Sequence, residues 1–461
     1  MFLFRLNLTW LFLVSLTASA ETRYVNLNNP SSAAPYTSWL TAATNIQDAI
    51  DVAMDGDMVL VTNGVYRTGG RAVFGTMTNR IALTKAITVE SVNGPNHTFI
   101  EGSGFVANAV RCAYLTNQAQ LIGFTLTNGA TLGIGDSAKE RSGGGVWCES
   151  PSSLVSNCVI IANFAYAVGG GGYGGGYWNC NIKSNSAGFG GGVAICWIWQ
   201  SIISGNTAST GGGGTYSVSE GRNNTIVGNY CSAFSGAGGT FGGVFYDCII
   251  YYNSNPSGSL NQNYFGLNGN NNCTTPNAGS LLNNPPLFLD LAGGDYRLQP
   301  YSPCINAGSK GAAFTTIDLS GNPRVVGGTL DVGAYEFQSP TSLLSYAWAH
   351  RYGIITDGSA DFDDEDGDGA SNWHEFRADT IPTNAVSNFR VVSITNGTAG
   401  ISLTWPSIFQ GLYWVERGTN LQDLSSFQTI ATNLVGGFST KTYIDATATN
   451  GGSYFYRVGV Q

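Results

Sequence analysis

A repeat of about 22 residues is the feature that most constrains how this chain can fold. Five segments share a pattern that ends on asparagine: NCVIIAN, NCNIKSN, QSIISGN, NNTIVGN and DCIIYYN. The closing residues are Asn163, Asn185, Asn206, Asn229 and Asn253, at intervals of 22, 21, 23 and 24 residues. An isoleucine stands three positions before each asparagine, and a small or polar residue stands two positions before the isoleucine. Because alternate residues of a strand face the same way, these two positions both point inward.

Glycine runs between the repeats indicate corners. They lie at 143–145, 169–172, 190–192, 211–214 and 238–239. Stacked coils place equivalent residues about 4.8 Å apart, so the isoleucines fill a core and the asparagines form hydrogen bonds along the axis. The leucine pattern of a leucine-rich repeat is absent, and a propeller needs about 40 residues per blade. We therefore expect an all-β chain built on a right-handed parallel β-helix.

The first twenty residues predict a cleaved signal peptide. Arg5 supplies positive charge, the stretch from Leu6 to Leu16 is mostly apolar, and residues 18–20 (Ala-Ser-Ala) have the small-x-small form of a cleavage site. A transmembrane anchor is the alternative, but the stretch is short and contains polar residues. We expect a secreted or cell-surface protein without a membrane span.

Charge excludes one class of partner. Charged residues make up 11% of the chain and the net charge is −9. The segment from Asp357 to Asp379 holds nine acidic residues and one arginine, so most of the negative charge is local. Basic residues are too few for nucleic-acid binding. We expect a polysaccharide or cell-surface glycan as the partner, and a monomer.

Several segments resemble known families. The segments NIQDAIDVA (45–53), GDMVLVTNGVY (56–66) and IGFTLTNG (122–129) resemble the pectate lyase-like superfamily of right-handed β-helices. The first predicts a short amphipathic helix that caps the solenoid. The rhythm of SGNTASTGGGG is similar to repeats of polymorphic surface proteins. DYRLQPYSPCINAG and DLSGNPRVVGGTLDVGAYEF, within 295–337, resemble the choice-of-anchor Q domain of bacterial exported proteins. The resemblance implies a β-helical domain over 21–337 and identifies a fold rather than a reaction.

Residues 338–385 are predicted to form a helix followed by a calcium loop. The stretch 361–376 contains D-x-D-x-D-G-x₅-E, the spacing that wraps oxygen ligands around Ca²⁺. The predicted ligands are Asp364, Asp366, Asp368, the carbonyl of Ala370, Asn372 directly or through water, and Glu375. The loop resembles dockerin-like and thrombospondin type 3-like loops. A solvated acidic linker is the alternative, and Asp361 with Asp363 leaves a second ion open.

Residues 386–461 predict a small β-sandwich, because five alternating segments are separated by turn residues. The predicted strands are 401–405, 412–417, 427–431, 441–445 and 454–460. The last of them is similar to the final strand of fibronectin type III-like modules.

Candidate catalytic residues are few. Relatives of the β-helix include calcium-dependent polysaccharide lyases and glycoside hydrolases, which need a base or paired carboxylates. Lys183 follows an inward isoleucine and so points outward, and Glu220 and Arg222 flank a turn farther along the chain. The alternative is that all three are ordinary surface charges.

Aromatic residues recur near the glycine runs. If they form a strip along the solenoid, sugar rings could stack on it, and we select Trp147, Tyr177, Trp197 and Tyr216 as candidate substrate-binding residues. Internal aromatic packing is the alternative. Cys158 and Cys180 occupy one repeat position, where either a disulfide or two buried thiols would fit.

Three functions are compatible with these observations. The first is a surface or secreted β-helix protein that binds polysaccharide or another cell, with a calcium-stabilised C-terminal region. The second is a polysaccharide lyase of the same fold, and the third is a purely structural spacer.

Overall fold

The protein was analysed as a computed structural model. It describes residues 20–104, 108–258, 262–276, 282–311, 313–408, 411–437, 439–448 and 453–461. The predicted signal peptide lies outside the described residues apart from Ala20, its last residue.

Strands of successive coils pair in parallel and build a right-handed β-helix with three faces. Face 1 consists of Thr78–Leu83, Val110–Leu115, Val146–Cys148, Gly172–Tyr173, Val193–Ala194, Thr215–Arg222, Thr240–Tyr246 and Tyr264–Asn268. Face 2 consists of Thr22–Val25, Met58–Val61, Thr88–Ser91, Gln120–Ile122, Leu154–Ser156, Gly176–Trp178 and Trp197–Trp199. The long strand Thr215–Arg222 pairs with both faces, since its first half continues face 1 and its second half continues face 2.

Face 3 carries the repeat isoleucines. Its strands are Gly64–Tyr66, Thr98–Glu101, Thr125–Thr127, Val159–Ile161, Asn181–Lys183, Ile202–Ser204, Thr225–Val227, Ile249–Tyr251 and Cys273–Thr274. A short parallel sheet follows face 3 at one corner and contains Ser186–Phe189, Thr207–Gly211 and Tyr230–Cys231. Arg71–Ala72 pairs antiparallel with the first strand of face 1.

The predicted inward positions form two continuous ladders. The five repeat isoleucines are fully buried in one core. Each repeat asparagine donates from Nδ2 to Oδ1 of the asparagine in the next coil, over 2.9–3.1 Å. The ladder ends on Asn263, which has no repeat pattern in front of it. The predicted register of the solenoid is therefore confirmed.

A helix covers the N-terminal end, as predicted. Helix α1 (Ile46–Val52) begins at Asn45, whose Oδ1 accepts the Gln47 N–H at 2.9 Å. Its apolar face, with Ile46 and Ile50, is buried in the same core as the solenoid.

The segment 304–337 covers the outward side of face 3 near its C-terminal end. The Gly333 N–H donates to the Asp247 carbonyl at 2.9 Å, and the Ala334 N–H donates to Thr225 Oγ1 at 3.1 Å. Thr225 and Ile249 point outward from the solenoid, yet both are buried beneath this segment. An outward-pointing residue is therefore not necessarily exposed on these coils, because the segment 304–337 covers it. A hairpin of Phe288–Asp290 and Asp295–Leu298 precedes the segment.

Two short helices follow. Helix α2 (Tyr346–Tyr352) ends at the left-handed Gly353, and helix α3 (Asn372–Ala378) begins at Ser371. Trp348 of α2 and Phe376 of α3 pack in one small core, with ring centroids 5.6 Å apart.

The C-terminal unit contains two three-stranded antiparallel sheets around a shared core of Leu403, Trp405, Tyr413 and Val415. One sheet has the order Ser393–Gly397, Gly400–Pro406, Thr440–Asp445, and the other Gln428–Val435, Leu412–Gly418, Phe455–Val460. The 3₁₀ turn Leu424–Ser426 joins two of these strands. The predicted small sandwich is present, but Ser393–Gly397 was not predicted, since its side chains are all exposed and show no alternation. In the described part of the chain, every helix is too short or too polar to cross a bilayer.

Candidate functional site

The acidic loop before α3 gathers carboxylates around one point. Ligand atoms of Asp364, Asp366 and Asp368 lie within 4.8 Å of one another. Asp364 shapes the turn, because its two oxygens accept the N–H groups of Gly367 at 2.8 Å and Gly369 at 2.9 Å. Gly369 has φ +94°, a left-handed conformation that favours glycine.

Four buried oxygens in this loop have no hydrogen-bond donor among the described residues. They are Asp366 Oδ2, Asp368 Oδ2, Asn372 Oδ1 and Glu375 Oε2. A buried acceptor without a donor costs about 1–3 kcal/mol. Burial, together with the charge of Asp366, raises the pKa of Glu375 to about 7. An all-oxygen set that is short of positive charge fits a hard cation such as Ca²⁺.

Helix α3 positions the last two of these groups. The Ser371 hydroxyl accepts the His374 N–H and so begins the helix, which places Asn372 and Glu375 one turn apart. Asn372 is anchored by its Nδ2, which donates to the Ala360 carbonyl at 2.9 Å. The Ala370 N–H donates to Asp368 Oδ1 at 2.8 Å, so the chain is held where its carbonyl was predicted to contribute.

Asp361 has a structural role. Its oxygens accept the Ser342 hydroxyl at 2.6 Å and the Leu343 N–H at 2.8 Å. These bonds tie the acidic loop to the segment before α2. Asp361 thus has a structural role here, and the alternative of a second ion stays open.

The four candidate aromatic residues do not form one strip. Tyr177 points into the solenoid and is fully buried. Trp147 and Tyr216 are on face 1, whereas Trp197 is on face 2. The prediction of a common sugar-binding strip is therefore wrong, and Tyr177 is a core residue.

Trp147 belongs to a stacked ladder on face 1. Its ring lies 5.3 Å from Tyr114 at an interplanar angle of 14° and 6.1 Å from Tyr173 at 2°. Both ring faces are therefore occupied, and the indole N–H donates to the Ala138 carbonyl at 2.9 Å. Trp147 packs against its own coils, so its prediction as a sugar-stacking residue is also wrong. Tyr216 is likewise flanked, by Phe189 at 4.9 Å and Phe241 at 6.0 Å.

Face 2 brings aromatic and charged side chains together on its outward side. Trp197 is in register with Glu220, and Trp199 is in register with Arg222. The two indole rings are 5.8 Å apart, and Arg222 Nε donates to Glu220 Oε1 at 2.7 Å. We call these four residues the face 2 patch.

Residues around the face 2 patch were missed by sequence reasoning. Trp178 precedes Trp199 in the same outward row, with ring centroids 6.1 Å apart, and Phe314 covers both. The Arg222 guanidinium lies 4.6 Å over the Tyr246 ring. The i, i+2 spacing of the two tryptophans in WIW signals a shared face, but nothing near Phe314 in sequence points to face 2.

The three candidate catalytic residues are not brought together. Lys183 points outward from face 3, in register with Ile161 and Ser204. Glu220 and Arg222 lie on face 2 as an ion pair. A lyase site that uses all three side chains is therefore inconsistent with the fold.

All nine cysteines are free and buried. Burial raises the pKa of the Cys158 thiol to about 12. Cys158 donates to the Ser156 carbonyl and Cys180 to the Trp178 carbonyl, so each thiol occupies a coil position without bridging. Of the two alternatives at this position, buried thiols are the one observed.

Comparisons with known proteins give two distant structural likenesses and no family. No family model matches the sequence, and no curated protein matches it. The crystal structure of pectate lyase Pel9A is similar with 14% identity and a TM-score of 0.43, over 69% of this chain and 97% of that one. A pectin methylesterase variant in complex with a hexasaccharide is similar with 12% identity and a TM-score of 0.28, over 55% of this chain and 79% of that one. The strand pairing of this chain, rather than either likeness, establishes its architecture.

Proposed function

We propose that the protein is an exported β-helix protein that binds polysaccharide through the face 2 patch. The observation that carries this proposal is Trp197 beside the Glu220–Arg222 ion pair on one outward surface. Trp199 contacts Trp197, Trp178 and Phe314, so it supports the patch instead of offering a free ring face. The predicted signal peptide supports export to the cell surface or beyond.

The face 2 patch offers the two kinds of contact that a sugar ring needs. The Trp197 indole offers a ring to the apolar C–H face of a pyranose, and the charged groups exchange hydrogen bonds with its hydroxyls. The side chains of Arg222 and Glu220 are 18% and 26% exposed, so both remain accessible. Because each holds the other in place, little side-chain entropy is lost when a ligand binds.

We propose further that the acidic loop holds Ca²⁺. The residues that would hold it are Asp364, Asp366, Asp368, Ala370 through its carbonyl, Asn372 and Glu375. The ion would supply positive charge to oxygens that otherwise repel one another. Its role is to order the region between the solenoid and the sandwich.

Binding is tested by calorimetric titration of the purified protein with neutral and acidic polysaccharides. Trp197→Ala and Arg222→Gln should each weaken binding by about tenfold or more. Trp39→Ala is the matched control, since Trp39 is 42% exposed and lies away from face 2's outward tryptophans. Unchanged affinity in both patch variants would overturn the proposal.

The same samples test the lyase alternative. Cleavage of an acidic polysaccharide by elimination produces unsaturated ends that absorb in the ultraviolet. We expect no such rise. A rise that Arg222→Ala abolishes, while the thermal melt is retained, would replace the binding proposal with a lyase.

A further inference from the structure

A cavity of about 670 Å³ separates α3 from the C-terminal sandwich. One wall is formed by the acidic loop and α3, and the other by the outward side of the sheet that contains Leu412–Gly418. Its side chains of chemical interest are Trp373, His374, Arg377, Phe389, Arg390 and Trp414. The volume is in the usual range for a pocket that binds a small organic ligand.

Aromatic rings line both walls. Trp414 points outward from its strand, because the neighbouring Tyr413 and Val415 fill the sandwich core. Its ring packs against Gly459, where a β carbon would overlap it. Trp373 is on the opposite wall and is tilted 47° to Phe376, with ring centroids 5.9 Å apart. Two indoles on facing walls suit a flat ligand with an apolar surface.

The charged side chains of the cavity are mostly basic. Arg377 and Arg390 line it together with His374. The ion pairs of the described chain involve neither arginine. The Arg377 guanidinium lies 5.6 Å from the Trp373 ring centroid and donates to the Lys310 carbonyl at 3.3 Å, so it is held in position. Planar guanidinium groups pair readily with carboxylates.

We infer that this cavity binds an acidic saccharide, whose ring stacks on Trp414 and whose carboxylate pairs with Arg390 and Arg377. The inference rests on the proposed function in one respect, since that function makes polysaccharide the ligand class. It adds a second site, in a different part of the chain from the face 2 patch, and a charge requirement that the face 2 patch does not have.

The acidic loop forms part of the cavity wall through Asp368, Gly369 and Ala370. Without a cation, the carboxylates of this loop oppose a negatively charged ligand. With Ca²⁺ bound, that repulsion is removed and the wall is ordered. Saccharide affinity should therefore rise with calcium, and by linkage the saccharide should tighten calcium binding by the same factor.

The test uses the full chain and calorimetric titration with two probes, a trisaccharide of galacturonic acid and a neutral trisaccharide of glucose. We expect the acidic probe to bind about tenfold tighter than the neutral one in calcium, and to lose that advantage in chelator. Trp414→Ala and Arg390→Gln should each weaken the acidic probe by about tenfold or more. Arg457→Gln is the matched control, because its guanidinium lies over Phe427 and outside the cavity. Trp414→Phe keeps an aromatic ring there and should retain most of the affinity.

Different experimental outcomes would overturn the face 2 proposal and the cavity inference. If Trp197→Ala abolishes binding while Trp414→Ala and Arg390→Gln leave it unchanged, the cavity inference is overturned and the face 2 proposal stands. If Trp414→Ala and Arg390→Gln abolish binding while Trp197→Ala does not, the face 2 proposal is overturned and the cavity inference stands. Equal affinity of both probes with and without calcium would also overturn the cavity inference.

Discussion

At the scale of single residues, the repeat asparagines satisfy the backbone at a corner of every coil. Asn206 Nδ2 donates to Asn229 Oδ1 and to the Ile182 carbonyl, both at 2.9 Å. Its Oδ1 accepts both the backbone N–H and the Nδ2 of Asn185, each at 2.9 Å. One side chain therefore satisfies buried groups of both neighbouring coils, which explains why the repeat ends on asparagine rather than on any polar residue.

We predict that Asn206→Ala lowers the free energy of unfolding of the solenoid by about 3 kcal/mol or more, because it leaves several buried groups without partners. Urea unfolding followed by circular dichroism measures the loss. Ser209→Ala is the control, since Ser209 is exposed on the same coil and should change stability little. Equal losses in the two variants would contradict the ladder's importance.

Two structural requirements explain the glycine runs. The sequence predicted only the first, which is the turn at each corner. In three of the five runs the first glycine turns the corner with positive φ, as at Gly190 with φ +59°, and in the run 211–214 the second glycine does so. The following glycines have no room for a side chain. A β carbon on Gly191 would overlap the carbonyls of Thr207 and Gly213, and one on Gly192 would reach 3.2 Å from Asn206 Nδ2. Close stacking of coils against the asparagine ladder thus requires glycine, beyond its conformational freedom.

We predict that Gly191→Ala destabilises the solenoid by about 3 kcal/mol or more, because backbone carbonyls in two directions must move. Gly205→Ala should lower the free energy of unfolding by only about 1–2 kcal/mol, since Gly205 is exposed and alanine there meets only the strain of its left-handed φ of +61°. Urea unfolding of both variants under the same conditions compares their losses of stability. A larger loss at Gly205 would mean that conformation, rather than space, selects the glycines.

At the scale of elements, the covering segment 304–337 is held by a buried polar network. Arg324 Nη2 donates to the carbonyls of Asp331 and Gly333 at 2.9 Å, and its Nη1 lies 3.7 Å from Glu336 Oε2. Asp318 Oδ2 accepts the Glu336 N–H at 3.0 Å. These residues are the polar positions of the motif that resembles the choice-of-anchor Q domain. Their contacts are structural, which accounts for a long and specific motif without implying a reaction.

This network predicts a loss of stability in alkali. Burial raises the pKa of Asp331 to about 7 and of Glu336 to about 9. The folded state thus holds protons that the unfolded state releases near pH 4, so their stabilising contribution is complete below that pH and is lost as pH rises through about 7 to 9. Hydrogen exchange of amides 318–337 between pH 5 and pH 9, corrected for intrinsic rates, measures the change. Glu336→Gln should reduce the loss of protection at the alkaline end of this pH range. An unchanged pH profile in that variant would contradict the role of Glu336 in the pH dependence.

At the scale of the whole molecule, α2, α3 and the acidic loop lie in the chain between the solenoid and the C-terminal sandwich, each of which has its own core. The solenoid core and the sandwich core share no residue with the small core of Trp348 and Phe376. Lys310 connects the covering segment to the end of α3 through the Phe376 carbonyl and Asp379. The core that α2 and α3 form is small, so repulsion among the carboxylates of the acidic loop lowers the stability of this region markedly.

We predict that chelation lowers the melting temperature of residues 344–380 while the solenoid transition stays nearly unchanged. Glu375→Gln should weaken calcium binding at least about tenfold, because it removes one ligand charge. Asp361→Asn is the matched control: it disturbs the bonds to Ser342 and Leu343 but should leave calcium affinity near that of the parent protein. Calorimetry with and without calcium separates the transitions. A chelator that leaves every transition in place would refute the calcium proposal.

The amino-acid pattern determined the solenoid, its inward register and its asparagine ladder, because each of these repeats locally every 21 to 24 residues. It also located the acidic loop, since an EF-hand-like ligand set lies within 12 consecutive residues. Tertiary structure alone decided which surface each aromatic residue occupies. Tyr177 and Trp197 both lie near glycine runs, yet Tyr177 is in the core and Trp197 is half-buried on the outward side, because a shift of one residue along a strand reverses the side chain's direction.

Tertiary structure also decided which surfaces remain open. The segment that covers face 3 contacts the solenoid across large separations in sequence, such as Ala334 with Thr225, 109 residues apart, and Thr315 with Gln200, 115 residues apart. The facing walls of the C-terminal cavity likewise come from α3 and from the sandwich. Periodicity reports the environment of a residue within its own coil, whereas coverage by a distant segment depends on how the complete chain packs.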